Sequence, residues 1–301
     1  GISVFDQPKE YVTRCIESVL SQSYSLIDIR VRVDGEQFLA DGVRSYLDSL
    51  SEDIPNLSVV LGERIGTYAS CREIFADTTS AYLCQLDADD FLHRDALAVC
   101  VQCLEGKPDV SYVYTDCIEI DANADPILLG QRQKQSLYGN RDLVQFIPFH
   151  LRLVRAKSYM EAGGYDPSYF MCGDYDLSLR LNEISLPIYI DKPLYYYRVH
   201  KGSASSNNSD GLFRESVRAV TSALERRGLS SRYRLRIIAD KKNLVLEELS
   251  KNPRFAVQKR SHASPPLCLT GMHRSGTSLV SHILADMGFS MGDEILSPDR
   301  F

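Results

Sequence analysis

The chain has 301 residues, of which 44% are hydrophobic and 25% charged, and this ordinary globular composition excludes wholesale disorder. The formal net charge is −6, from 34 basic and 40 acidic residues, so generic nucleic-acid binding is not indicated. No apolar run reaches the roughly 18–20 residues that a membrane-spanning helix needs.

The first 120 residues alternate short apolar runs with stretches of helical spacing. Strands are predicted at ISVF, IDIRVRV, LSVVLG, AYLCQL and VSYVY, and helices at YVTRCIESVLSQ and DALAVCVQCL. This alternation predicts an α/β fold with a mostly parallel sheet flanked by helices. Ligands of such sheets bind at the carboxyl ends of the strands, which is where Asp34 and the group Asp87, Asp89 and Asp90 fall.

The rest of the chain is less regular. Residues 121–150 are predicted to form a loop over the site, LVRAKSYMEAGG and DYDLSLRLNEI two helices, and IYIDKPLYYYRVHKGS one or two strands. Residues from 211 to 250 have a helical pattern, and HASPPLC is typical of a linker. The sequence predicts three parts: a first domain at 1–205, a helical extension at 206–260 and a C-terminal fragment at 261–301. The first residues of the chain already belong to a predicted strand, which indicates that the chain is a piece of a longer protein.

The charge is unevenly spread along the chain. Residues 211–260 carry 13 Lys/Arg and 5 Asp/Glu, a local charge of +8. Such a segment is either a solvated helical face or a patch for an anionic lipid surface or a polyanionic acceptor. The eight cysteines lie mostly in apolar segments, which favours reduced thiols and a cytoplasmic location. A lipid-binding patch would place the protein at the inner face of the membrane.

The acidic run in CQLDADDFL is the strongest local signal. Three carboxylates, Asp87, Asp89 and Asp90, follow an apolar strand and repel one another unless a cation neutralises them. Hard oxygen ligands suit Mg²⁺ or Mn²⁺, and a diphosphate would complete the coordination shell. The alternative is a helix N-cap followed by an acidic first turn.

Two further polar groups come later in the chain. Asp174 and Asp176 precede an apolar helical face, where a carboxylate either complements the helix dipole or serves as a general base toward an attacking hydroxyl. Arg198 and His200 follow the aromatic strand PLYYY. Arg suits phosphate, and His is a phosphate donor or a metal ligand where it is not simply structural.

In their order and combination, five segments resemble glycosyltransferase family 2, an inverting family of the GT-A fold. They are ISVFDQPKEYVTRCIESVLSQSY, RVRVDGE, LDADDFL, AGGYDPSYFMCGDYDLSLRL and PLYYYRVHKGSAS, and they span about residues 1–205. The resemblance implies transfer of a sugar from a nucleoside-diphosphate sugar to a glycan acceptor, dependent on Mn²⁺ or Mg²⁺, with Asp174 as the base. It implies metal ligands at Asp87, Asp89 and His200. The donor-binding residues that it implies are Asp34, Arg72, Asp87, Arg198 and His200.

Four positions depart from the usual pattern of that family. Asp6, Val33, Arg72 and Gly173 stand where Asn, an acid, Asn and Glu are usual. These departures leave a second class open, a carbohydrate-binding or scaffolding protein that keeps the fold without catalysis. Metal-dependent hydrolysis of a nucleotide sugar would distinguish the two classes.

A second motif lies near the C-terminus, in LCLTGMHRSGTSLVSHIL. A buried strand runs through a glycine-containing loop into an apolar helix, an arrangement in which backbone N–H groups receive an anion. The loop resembles that of sulfotransferases that use 3′-phosphoadenosine 5′-phosphosulfate, which would make the protein bifunctional. The alternatives are a plain strand–helix turn and a nucleotide hydrolase or kinase, which the absent loop lysine disfavours. The predicted loop residues are Gly271, Arg274, Ser275, Gly276, Thr277 and Ser278.

Overall fold

The computed structural model describes residues 1–129, 140–200, 209–238 and 243–249 of the chain. The predicted phosphate loop at 271–278 lies outside these residues. Within them the α/β prediction is confirmed, because a parallel sheet and a mixed sheet pack against helices. No helix in this part of the chain is long and apolar enough to cross a membrane.

Helices and strands alternate over most of the described chain. The helices are α1 (Lys9–Leu20), α2 (Val43–Asp53), α3 (Thr67–Ala76), α4 (Ala96–Glu105), α5 (Ala156–Glu161), α6 (Gly173–Ile184) and α7 (Ser209–Arg226). The strands are β1 (Ile2–Val4), β2 (Ile29–Asp34), β3 (Leu57–Gly62), β4 (Tyr82–Leu83), β5 (Leu86–Asp87), β6 (Phe91–Leu92), β7 (Tyr112–Ile120), β8 (Pro126–Leu129), β9 (Arg152–Arg155), β10 (Ile188–Arg198), β11 (Tyr233–Ile238) and β12 (Asn243–Glu248).

The first sheet is wholly parallel and has the strand order β3-β2-β1-β5. Its register pairs Ser3 with Asp87 and Asp34 with Gly62. The carboxyl ends of these strands therefore meet at one edge, and Asp34 and Asp87 lie at that edge on opposite sides of β1. This is the arrangement that the strand pattern predicts.

The second sheet is mixed and has the order β4-β9-β7-β10-β6, with β8 paired to β7. Strand β10 runs parallel to β7 and antiparallel to β6. Because β5 belongs to the parallel sheet and β6 to the mixed sheet, the acidic turn between them lies where the two sheets meet.

The helices pack through apolar faces at helical spacing. In α1 the buried residues are Val12, Cys15, Ile16 and Val19, which recur at the three- and four-residue intervals of one helix face. They join the core of the parallel sheet. A second core cluster contains buried residues of α3, α6 and α7, so α7 packs on the same domain as the two sheets.

Four predicted elements differ from the structure. Part of the loop predicted at 121–150 forms β8, which pairs with β7. The segment AYLCQL forms the two short strands β4 and β5 rather than one, and LVR, predicted as the start of a helix, belongs to β9. The helical prediction for 206–260 is correct for α7 but wrong for β11 and β12, which form an antiparallel hairpin. The hairpin alternates core-facing and exposed side chains, which is the two-residue period of a strand. Its core-facing residues are Tyr233, Leu235, Leu244 and Leu246.

Asp142 anchors α7 to the domain. Its carboxylate is 5% exposed and accepts hydrogen bonds from Nη1 and Nη2 of Arg227, at 3.1 and 2.7 Å, and from Nδ2 of Asn182 at 3.0 Å. Asp142→Ala removes two charge-assisted hydrogen bonds of Arg227, whose charge keeps Glu183 Oε1 at 3.4 Å, so the free energy of unfolding should fall by about 1.5–3 kcal/mol. Urea denaturation measures this loss. As a control, Asp48→Ala breaks an exposed pair with Arg44 and should leave the midpoint almost unchanged; equal shifts would contradict the assignment.

Candidate active site

The acidic turn between β5 and β6 brings three carboxylates together. The N–H of Asp90 donates to the carbonyl oxygen of Asp87 at 3.0 Å and closes the turn. Gln85 Nε2 donates to Asp87 Oδ1 at 2.8 Å and orients that side chain. Asp87 and Asp89 remain partly exposed, whereas Asp90 is 1% exposed. The turn thus presents two carboxylates outward and one inward.

Asp90 holds the turn against β10. Its Oδ2 accepts from the Tyr195 hydroxyl and its Oδ1 from the N–H of Arg198, both at 2.7 Å. Burial, together with the neighbouring charges of Asp89 and Asp87, raises the pKa of Asp90 well above its ordinary value. Since both oxygens already accept hydrogen bonds from the chain, the contacts of Asp90 are those of a structural carboxylate.

Asp87 belongs to a group that could hold a cation. The pKa of Asp87 is raised to about 6. Burial of the side chain is the largest cause, and the charge of Asp89 is the second largest. Ligand atoms of Asp87, Asp90 and His150 lie within 4.8 Å of one another. The predicted set consists of Asp87, Asp89 and His200, and in it His200 Nε2 lies 2.9 Å from Asp89 Oδ2. Both sets share Asp87, and their carboxylates suit a hard divalent cation.

Arg198 connects the acidic turn to the end of β7. Its side chain is buried and makes three hydrogen bonds to carbonyl oxygens, from Nε to Asp89 at 2.8 Å and from Nη1 to Asp121 and Ala122 at 3.0 and 2.8 Å. The guanidinium also lies 4.1 Å from the ring centroid of Tyr11. Arg198 is therefore placed beside the site, and these contacts fix the backbone of the turn.

Asp34 fixes the loop that precedes α3. Its Oδ1 accepts from Arg32 Nη1 and from the N–H of Ile65, at 2.9 and 2.7 Å. It also accepts from Ser70 Oγ at 3.1 Å, and its Oδ2 accepts from the N–H of Gly66 at 2.9 Å. Gly66 has a φ of +92°, in the region that favours glycine. A carboxylate has about four acceptor positions, so most of the capacity of Asp34 goes to shaping this loop.

Arg72 lies on the exposed side of α3. Its Nη1 donates to the carbonyl oxygens of Gly163 and Tyr165, at 2.9 and 2.6 Å. These contacts tie α3 to the loop that leads toward α6. Donor binding by Arg72 and by Asp34 stays a prediction.

Asp174 lies in the first turn of α6, with its side chain 13% exposed. Its Oδ1 accepts from the Tyr68 hydroxyl at 3.0 Å and from the N–H of Tyr175 at 2.8 Å. Its Oδ2 accepts from Nη2 of Arg152 at 3.2 Å. Asp174 and Asp87 are close enough that the charge of Asp174 contributes to the raised pKa of Asp87. The site therefore contains a carboxylate that is held by three hydrogen bonds and whose charge acts on Asp87.

The side chain of Asp176 has different partners from that of Asp174. It is 3% exposed and accepts from Nε and Nη2 of Arg180, one helical turn further on. Nη1 of that arginine in turn donates to the carbonyl oxygen of Gly164 at 2.7 Å. Residues two apart on a helix do not share a face. Of these two carboxylates, Asp174 is the one whose charge contributes to the raised pKa of Asp87.

Two further residues contact the predicted site residues, Arg152 at Asp174 and His150 near Asp87, and neither was predicted from the sequence. Arg152 is 8% exposed, and its Nη1 also donates to the carbonyl oxygens of Pro148 and Phe149, at 3.0 and 2.8 Å. Burial acts to lower the pKa of Arg152, but the charge of Asp174 raises it above its ordinary value. The His150 ring stacks on Tyr195, with centroids 4.6 Å apart. Neither residue belongs to a motif of recognisable spacing.

Comparison with known proteins agrees with this architecture. Curated relatives include the chondroitin synthase of Escherichia coli, 24% identical over 221 residues that cover 73% of this chain and 32% of that protein. The hyaluronan synthase of Pasteurella multocida is 22% identical over 222 residues, with 73% and 22% covered. This chain thus spans a third or less of the length of these relatives.

Solved structures share the fold at lower identity. Residues 1–349 of Staphylococcus aureus TarS in complex with UDP-GlcNAc align with a TM-score of 0.60 at 13% identity, covering 74% of this chain and 65% of that one. The chain therefore has the α/β fold of GT-A-like glycosyltransferase structures. The family described as glycosyl transferase family 2 matches residues 1–162, which is more than half of the chain. The protein belongs to that family.

Proposed function

We propose that this domain transfers a sugar from a nucleoside-diphosphate sugar to a hydroxyl group of a glycan or related acceptor, with inversion at the anomeric carbon. The observation that supports the proposal is the Asp174 carboxylate, which Tyr68 and Arg152 hold by hydrogen bonds and which is near enough to Asp87 for its charge to act on it. Family membership and the names of the relatives support it, since two of them are glycan synthases.

The reaction needs one base. The acceptor oxygen forms a bond to the anomeric carbon while the bond from that carbon to the diphosphate oxygen breaks, and the diphosphate keeps the electron pair. The proton of the acceptor hydroxyl passes to Asp174. Arg152 and the Tyr68 hydroxyl hold the Asp174 side chain in place through hydrogen bonds to its two oxygens. A single displacement inverts the configuration.

The carboxylates of the acidic turn fit a divalent cation. Asp87 and Asp89, with His200, would hold Mn²⁺ or Mg²⁺, and the carboxylates repel one another without a cation. A bound cation would offset the charge of the diphosphate leaving group. Asp34 and Arg198 would support the donor through the loop and the turn that they hold.

The first experiment measures nucleotide release. TarS has been solved with UDP and with UDP-GlcNAc, so UDP-sugars are the first donors for the whole chain, with Mn²⁺ and with oligosaccharide acceptors. We expect UDP release that needs Mn²⁺ and rises with acceptor. Thermal shift provides the binding readout, since a ligand at a hundredfold its Kd stabilises by about 2.7 kcal/mol. Binding of donor and acceptor without any release would instead favour a carbohydrate-binding protein that has lost catalysis.

The C-terminal motif extends the proposal to a second group transfer. We propose that residues 261–301 belong to a module that binds 3′-phosphoadenosine 5′-phosphosulfate, with support from the loop sequence alone. The present chain should bind adenosine 3′,5′-bisphosphate weakly, and Arg274→Ala should remove this binding because it removes the loop cation. Isothermal titration measures both. Tight ATP binding with hydrolysis that Thr277→Ala abolishes would favour a nucleotide hydrolase.

A further inference from the structure

Helix α7 contacts the loop that leads into α6. The N–H groups of Phe170, Met171 and Cys172 all donate to the carboxylate of Glu215, with shortest distances of 2.9, 2.7 and 2.9 Å. These amides stand just before the first turn of α6, where N–H groups lack partners within the helix. A carboxylate at this end is favoured both by charge-assisted hydrogen bonds and by the helix dipole.

The same helix holds the loop at other points. Cys172 Sγ lies 3.3 Å from the carbonyl oxygen of Leu212 and 3.1 Å from Ser216 Oγ. Nη2 of Arg218 donates to the carbonyl oxygen of Ser168 at 3.0 Å. The Arg218 guanidinium also stacks 3.6 Å from the ring centroid of Tyr169. One face of α7 thus fixes residues 168–172.

The loop is joined directly to the base. The Tyr68 hydroxyl lies within hydrogen-bond distance of the carbonyl oxygen of Met171 and of Asp174 Oδ1, at 3.2 and 3.0 Å. Asp174 also follows Cys172 by only two residues. A shift of the loop would therefore move the base and would disturb the hydroxyl that orients it.

We infer that Glu215 is a positioning residue for Asp174, and that it acts from the part of α7 that contacts residues 168–172. The inference rests on the proposed role of Asp174 as the base. Glu215 touches no reacting atom, and it acts by fixing the three amides that place the first turn of α6. A misplacement of about 1 Å at a reacting group lowers the rate by up to roughly 100-fold.

The test compares two glutamates of α7. Glu215→Ala should lower kcat for transfer by roughly 10- to 100-fold, with the Kd for UDP and Mn²⁺ within twofold of the parent. Glu215→Gln keeps one acceptor oxygen and should recover part of the rate. Glu225→Ala removes an exposed carboxylate from the same helix and should behave as the parent. Equal kcat in all of these variants would overturn the inference.

A double variant separates positioning from general stability. In the Asp174→Asn background, Glu215→Ala should cost little further rate, because the group that it positions is already lost. Losses that multiply in the double variant would contradict the inference. Backbone hydrogen exchange gives a readout without turnover, and the amides of 170–172 should exchange faster in Glu215→Ala but not in Glu225→Ala.

Hydrogen exchange also separates this inference from the proposed function. If the parent transfers no sugar from any donor, the proposed function fails. The loop contact is then judged by exchange alone, and protection of residues 170–172 that survives Glu215→Ala would overturn it as well.

Discussion

Asp174→Asn should lower the transfer rate by roughly 10²–10⁴-fold and leave donor affinity unchanged. The amide has the size of the carboxylate and keeps an oxygen for the Tyr68 hydroxyl, but it cannot take the proton of the acceptor. The loss should therefore appear in kcat. Steady-state kinetics with a UDP-sugar and an oligosaccharide, beside titration of UDP in the presence of Mn²⁺, measures the two effects separately.

Asp176→Asn is the matched control for that prediction. Asp176 is bound to Arg180 and buried, so its loss should lower the thermal midpoint while the folded enzyme keeps most of its kcat. The opposite pattern, with Asp174→Asn active and Asp176→Asn inactive, would move the role of base to Asp176.

The strand pattern was sufficient to predict the edge of the sheet at which the site lies. In a parallel sheet the polar residue that ends each buried strand must fall at the carboxyl edge, whatever the packing of the helices. Asp34 and Asp87 end β2 and β5, and the register confirms that both lie at this edge. Periodicity also predicted α6, and thereby the placement of Asp174 in its first turn.

The contacts of these side chains could not be predicted in the same way. Asp34 is held by donors from Arg32, Ser70 and the turn at 65–66, which meet only after β3 and α3 have packed. Arg152 reaches Asp174 across 22 residues of sequence. Such partners depend on tertiary packing, which leaves no periodic signal in a single sequence.

The prediction of a helix where β11 and β12 form a hairpin failed for a related reason. The arginines of residues 211–238 suggest a helix by composition, because Arg and Leu are good helix formers. In β11 the apolar residues recur every second position, which matches a strand with one face on the core. The two-residue period predicts the observed strand correctly. Burial of Tyr233 and Leu235 against the second core cluster outweighs the weak helical propensity of the segment.

Asp89→Ala should abolish the Mn²⁺ dependence of UDP binding. Substitutions that only orient a metal ligand lower metal affinity by about 10–100-fold, so the loss of a ligand should exceed this range. We expect Asp89→Ala and His200→Ala to bind UDP equally in Mn²⁺ and in EDTA, whereas the parent binds more tightly in Mn²⁺. Isothermal titration under both conditions measures the difference.

His150→Phe decides between the two cation sets that share Asp87. Phe keeps an aromatic ring to stack on Tyr195 and removes the ligand nitrogen. Both oxygens of Asp90 accept hydrogen bonds from Tyr195 and Arg198, so a cation between Asp87, Asp90 and His150 would have to displace contacts that hold the acidic turn. In the set with Asp89 and His200, a cation would replace the 2.9 Å contact between these two side chains and leave the contacts of Asp90 intact, so His150→Phe should keep the Mn²⁺ dependence. If His150→Phe loses that dependence while Asp89→Ala keeps it, the cation belongs to the buried set and the acidic turn must rearrange when it binds.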